Sequence, residues 1–140
     1  MSSAASSLVA QFEELEIDAP NFHHNDHIQV AYEMLDQYDF IEACLRYAST
    51  IRAMAENVGV PEKYNMTITF AFMSLIAERK SQSNGTDLAS FIASNPDLLD
   101  KDVLNSWYSK ERLTSATARK QFLLPDKNLG KYYEHRVIKQ

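Results

Sequence analysis

Cysteine, glycine and proline are scarce: the 140 residues hold one Cys, three Gly and four Pro. A lone thiol, Cys44, cannot form an internal bridge, so a disulfide-stapled scaffold is excluded, and a buried, inert thiol in the reducing cytoplasm is expected. So few Gly and Pro cannot supply the turn every ten residues or so that a β-sandwich or barrel needs. Long apolar runs are also missing. The most apolar stretch, Ile68 to Ala77, falls well short of the roughly 20 residues that span a bilayer, and the N-terminal segment lacks the basic and apolar regions of an export signal. A basic excess is absent too: 14 Lys and Arg stand against 19 Asp and Glu, a formal charge of −5. Phosphate backbones and anionic membranes would repel such a chain, so neither nucleic acid nor membrane is expected as a partner. Finally, no Gly-rich phosphate loop, Rossmann fingerprint, nucleophile elbow, HExxH or CxxC occurs, which removes the commonest signatures of nucleotide, hydrolase and metalloprotease chemistry.

What the chain does have is an ordinary globular balance, 45% hydrophobic and 24% charged, with helical spacing of its apolar residues. The expected fold is all-α: a single compact antiparallel helical bundle of about four main helices plus short C-terminal ones. One helical domain covers 1–126, with residues 1–20 as an N-terminal arm and short helix, and a basic tail covers 127–140. In the arm, Leu8, Phe12 and Leu15 form a narrow stripe. A second helix begins near Asn25, with Asn25 or Asp26 as its cap and Ile28, Ala31, Met34 and Leu35 facing inward. The third starts at Asp39, paired with Glu42 at the third helical position. Its expected inner face carries Ile41, Cys44, Leu45, Ala48, Ile51, Ala55 and Val58 as far as Gly59. Pro61 suits the first turn of a fourth helix, apolar on nearly every side from Ile68 to Ile76 and therefore central, ending at Asn84-Gly85. Thr86, Asn95-Pro96, Ser109 and Ser115 read as starts of shorter helices. Charge is uneven. Residues 1–109 carry 6 Lys/Arg against 16 Asp/Glu and residues 110–140 carry 8 against 3, so a basic tail is expected to lie electrostatically on an acidic body, adding little to the fold.

Chemistry concentrates in FHHNDH, residues 22–27, which holds three of the four histidines. Three residues apart on a helix, His24 and His27 lie about 60° apart around the axis and share the side of Ile28, Ala31 and Met34. Imidazole ligates zinc, iron, copper and nickel, and a core-facing pair at this spacing is how helical bundles mount such ions. The same pair also reads as a hydrogen-bonded helix start under the N-terminal arm. Glu78 is the distant candidate ligand, on a stripe of small residues with Ser74, Ala71 and Thr67 that leaves room for a ligand or a close helix. A salt bridge to Arg79, Arg46 or Arg52 is its structural alternative. Asp26 is the catalytic candidate beside the pair, as an orienter of an imidazole or a further ligand, with an N-terminal dipole contact as its plainer role.

The blocks FHHNDHIQVAYEML, KYNMTITFAFMSLIAER, NPDLLDKDVLNSWYSKERL and ARKQFLLPD, in that order, resemble a family of small bacterial proteins without an assigned activity; the resemblance covers roughly residues 22–126. Its Phe-x-His-x-Asp-His block corresponds to Phe22, His24, Asp26 and His27, leaving His23 at a free position, and its Glu-Arg to Glu78 and Arg79. The family tends to hold His where this chain has Asn65, so a three-histidine site is here either lost or dependent on the Asn65 carbonyl.

Two functions from different classes follow. The first is a small metal-dependent enzyme with a divalent transition metal on His24, His27, Glu78 and Asn65. The second is a non-catalytic interaction or accessory module with a structural His/Asp cluster. Partners left open are a small molecule, another protein or a second copy in a homodimer.

Overall fold

The computed structural model describes residues 7–127, apart from 84 and 86. Within them every regular element is helical: α1 (Leu8–Glu13), α2 (His24–Gln37), α3 (Phe40–Asn57), α4 (Met66–Ser81), α5 (Leu88–Ser94), α6 (Lys110–Leu113) and α7 (Ala116–Lys120), with 3-10 turns at 19–21, 61–63, 96–99 and 103–106. The all-α reading holds. None of these helices is long and apolar enough to cross a membrane.

Helix starts follow their capping side chains. Asp39 accepts the Glu42 N–H at 2.8 Å, Asn65 the Ile68 N–H at 2.9 Å and Asp87 the Ser90 N–H at 2.8 Å, while Ser109 and Ser115 open α6 and α7 in the same way. Each cap satisfies a donor that the first helical turn leaves free. Beyond α2, whose cap is His23 and not Asn25 or Asp26, two starts differ from expectation. Pro61 opens a separate 3-10 turn and α4 begins only after Asn65, whose side chain outcompetes it as a cap; Asp87 caps α5, whereas Thr86 lies outside the described residues.

α4 is the central element and packs against α2, α3 and α7. Its apolar surround buries most of its circumference: Thr67, Ala71, Met73, Leu75 and Ile76 are all buried, while Ser74 and Glu78 stay exposed. Thr67, fully buried, donates to the Gln121 carbonyl at 2.7 Å and accepts the Leu123 N–H at 3.0 Å, which ties the segment after α7 across α4. That segment continues as a hydrogen-bonded strap. Tyr108 donates to the Leu123 carbonyl, Arg112 to the Leu124 carbonyl and Ser109 to Asp126, and the Lys127 N–H donates to the Trp107 carbonyl. The strap thus includes the first residue of the expected tail, the remainder of which, 128–140, lies outside the described residues.

Two expected faces are corrected. In α1 the buried pair is Val9 and Phe12; Leu15 falls beyond the helix with φ +58° and is exposed, because the helix ends at Glu13 before its stripe is complete. In α3, Ile41 and Leu45 are 71% and 58% exposed and Val58 is exposed as well, while Ala43, Cys44, Tyr47 and Ala48 are buried. The helix is rotated so that Tyr47, the largest side chain on this stripe, enters the core. Its ring lies 5.6 Å from Phe12 and 6.3 Å from Phe72, centroid to centroid. Cys44 is buried as expected, and burial pushes its thiol up to about 11.

Candidate functional site

α2 begins one residue before Asn25, with His23 in the cap position and exposed. Asp26 accepts the His23 N–H at 3.0 Å, so its carboxylate serves the helix start and lies outside the hollow that the histidines line. His24 and His27, one turn apart, both point between helices and are half-buried.

Each imidazole is oriented through one nitrogen. Nε2 of His24 lies 2.7 Å from the Leu98 carbonyl. A carbonyl only accepts, so Nε2 carries a proton, and the ring's other nitrogen, Nδ1, faces away from that bond. Nδ1 of His27 lies 2.9 Å from the Tyr47 hydroxyl, and its ring packs 4.3 Å from that of Phe22. Burial lowers the His27 pKa to about 4, helped by His24 and opposed by Asp26, and burial pushes the Tyr47 phenol far up, so both groups are neutral near pH 7. A neutral phenol either donates to a bare Nδ1 or accepts from Nδ1–H, and the first arrangement leaves an N–H at Nε2 of His27. Among the described residues no buried polar side-chain atom lacks a partner. The second nitrogen of each ring, which pairs with no protein group, is therefore open to the hollow or to solvent.

That hollow is about 250 Å³ and is enclosed by five parts of the chain: His24 and His27 from α2, Tyr47 and Ile51 from α3, Lys63 to Asn65 before α4, Ile68, Thr69 and Phe72 on α4, and Lys101, Val103 and Leu104 from the later loop. No carboxylate lines it. Its two lysines stand out against the rest of this acidic body. Of the six basic residues before position 110, Arg46, Arg52, Arg79 and Lys80 are all in ion pairs, with Glu13 and Glu42, Glu56, Asp97 and Asp36 respectively. Among the described residues Lys63 and Lys101 are the two without one, and both are at this hollow.

The other candidate ligands are not brought here together. Asn65 lines the hollow, but its side-chain oxygen caps α4 and its Nδ2 donates to the Leu113 carbonyl at 2.6 Å. Glu78 is exposed and lines a different hollow with Ser74, Arg79 and Trp107. Helical geometry explains this. His24 packs beside Phe72, ring centroids 6.0 Å apart, and Glu78 is six residues further along α4, about 9 Å on and roughly 120° round the axis. Its expected partners are also engaged elsewhere: Arg79 binds both oxygens of Asp97, at 2.9 and 2.8 Å. Among the described residues, no group of three or more His, Cys, Asp or Glu is placed to hold a metal ion.

Sequence reasoning missed Tyr47, Lys63, Lys101 and the Leu98 carbonyl. Tyr47 had a signal, since Cys44, Tyr47 and Ile51 follow at three and four residues, whereas the two lysines sit in loops without periodicity. Comparison with protein-family models, with curated proteins and with solved structures gives no match in any of the three.

Proposed function

We propose that the chain binds a small organic acid, one with an apolar body and a hydroxyl or oxo group, in the hollow of His24 and His27. The observation that carries this reading is that, among the described residues, the two basic side chains of the acidic body outside any ion pair both line the hollow that holds His24 and His27 and no carboxylate. In this arrangement Lys63 and Lys101 attract the carboxylate, and Phe72, Ile51 and Val103 cover the apolar body. Nδ1 of His24 accepts from a ligand hydroxyl and Nε2 of His27 donates to a ligand oxygen. At about 250 Å³ the space is below the roughly 300 to 1,000 Å³ of drug-sized sites, which points to a small metabolite. Chemistry beyond binding would be proton transfer at His24, whose protonated nitrogen is fixed by Leu98. A metal-dependent enzyme remains a second reading because both imidazoles line the same hollow. They supply two of the four positions of a zinc-type centre, and the bound acid or water would have to complete it.

Calorimetric titration tests both readings, with benzoate, 4-hydroxybenzoate and hexanoate against their neutral counterparts phenol and hexanol, each with and without Zn²⁺. Carboxylates are expected to bind without metal, and Lys63→Met/Lys101→Met to weaken them about tenfold, the effect of two exposed charges at the mouth of the hollow. Equal binding of acids and neutral counterparts, or no binding of either, would sink the anion site. Binding that appears only with Zn²⁺ would favour the metal reading.

A further inference from the structure

We propose that residues 128–140 of this chain dock in a trough along the outer side of α4, held by their aromatic residues. The trough follows Met66, Phe70, Ser74 and Glu78, spaced at every fourth residue, a row that runs about 18 Å along the helix while winding about 120° round it. Two hollows that share Ser74 and Phe122 make it up. One, about 580 Å³, lies between Phe40, Phe70 and Phe122; the other, about 250 Å³, lies between Glu78, Trp107 and Pro125. Phe40 and Phe122 are 48% and 46% exposed, so the described residues leave aromatic surface open along it.

The occupant is named by where the chain leaves. Lys127 is fixed at Trp107, a wall of the trough, by its N–H on the Trp107 carbonyl at 2.9 Å, and its ammonium donates to the Asn105 carbonyl at 2.7 Å. Thirteen residues follow in the sequence. They span about 20 Å as a helix and about 43 Å extended, so either form reaches along the whole stripe. Their chemistry fits both parts of the trough. Leu129, Tyr133 and Val137 recur every fourth residue with Tyr132 and Ile138 beside them, and Lys131, Arg136 and Lys139 outnumber Glu134. Glu78, exposed at the Trp107 end, takes part in no ion pair among the described residues.

The test is paramagnetic broadening in the full chain carrying a spin label at Lys139→Cys, with Cys44 left unlabelled because it is 3% exposed. The amide signals of Met66 to Glu78 are expected to lose most of their intensity, and to recover in Tyr132→Ala/Tyr133→Ala. A mixture of isotope-labelled chain without spin label and spin-labelled chain without isotope should show no loss. Absence of broadening in the labelled chain overturns the proposal. Broadening in the mixture makes the occupant a second copy and overturns it too, and broadening that survives the double substitution removes the aromatic residues as its cause.

Discussion

α4 separates two kinds of opening. On the α2 side, the hollow of His24 and His27 is walled by side chains that are themselves packed or hydrogen-bonded, such as Phe72 against Tyr47 and Tyr47 against His27. On the outer side, the trough is bordered by Phe40 and Phe122, whose rings stay about half in solvent. The contrast teaches that position along one apolar helix does not tell what a residue supports: Phe72 and Phe70, two residues apart, face opposite circumstances. Phe72→Ala should therefore cost about 3 to 5 kcal/mol, because a nearly buried ring leaves a cavity that packed neighbours cannot fill. Phe70→Ala should cost about half as much, since the half-buried ring leaves a space already continuous with the trough. Denaturant unfolding of both variants checks this, and equal losses would break the comparison.

Acid sharpens the same contrast. His27 titrates at about 4 in the folded chain against 6.5 unfolded. Between those values the unfolded state binds more protons, so stability rises with pH through this window, is complete above about 6.5, and is lost as pH falls towards 4. The full effect is about 3 kcal/mol for a group this buried. Asp87, Asp97 and Asp126, each held below the usual carboxylate range by hydrogen bonds from Ser90, Arg79 and Ser109, release their contribution only at lower pH. Unfolding free energies measured from pH 7 to 4.5 should thus decline in the native chain and stay flatter in His27→Gln. Parallel declines would mean that His27 does not carry the acid sensitivity.

Legibility in the sequence followed the range of the interaction. Local features could be read: the inner face of α2 with Ile28, Ala31 and Met34, the shared side of His24 and His27, the caps at Asp39, Ser109 and Ser115, and an apolar-all-round α4 as the centre. Features set by distant neighbours could not. Glu78 lies on a stripe of small residues, as its spacing requires, but which hollow that stripe meets depends on where α7 and the strap cross α4. Lys63 and Lys101 come from loops 38 positions apart and become a pair of site residues only once α3, α4 and the later turns are packed. In α3 two stripes competed. Ile41 and Leu45 with Ala48 offered the more apolar one, but Cys44, Tyr47 and Ile51 won because Tyr47 gains a hydroxyl partner in His27 as well as aromatic contacts.

That competition yields the smallest effect expected here. If the Tyr47 stripe faces inward, Ile41 and Leu45 already keep most of their surface in water, and removing their outer atoms changes little on folding. Ile41→Ala and Leu45→Ala should each shift stability by less than about 0.5 kcal/mol, the range of surface substitutions away from caps and networks. Ala also has the better helix propensity, which offsets part of the small loss at Ile41. Tyr47→Phe supplies the matched inner control: the ring stays in place, but Nδ1 of His27 loses its hydrogen-bond partner, at a cost of about 1 to 3 kcal/mol for a buried group left unpaired. Were Ile41→Ala or Leu45→Ala to cost as much as Tyr47→Phe, the outer stripe would be covered in solution. The rotation of α3 would then be serving an interface of the assembled protein as well as its core.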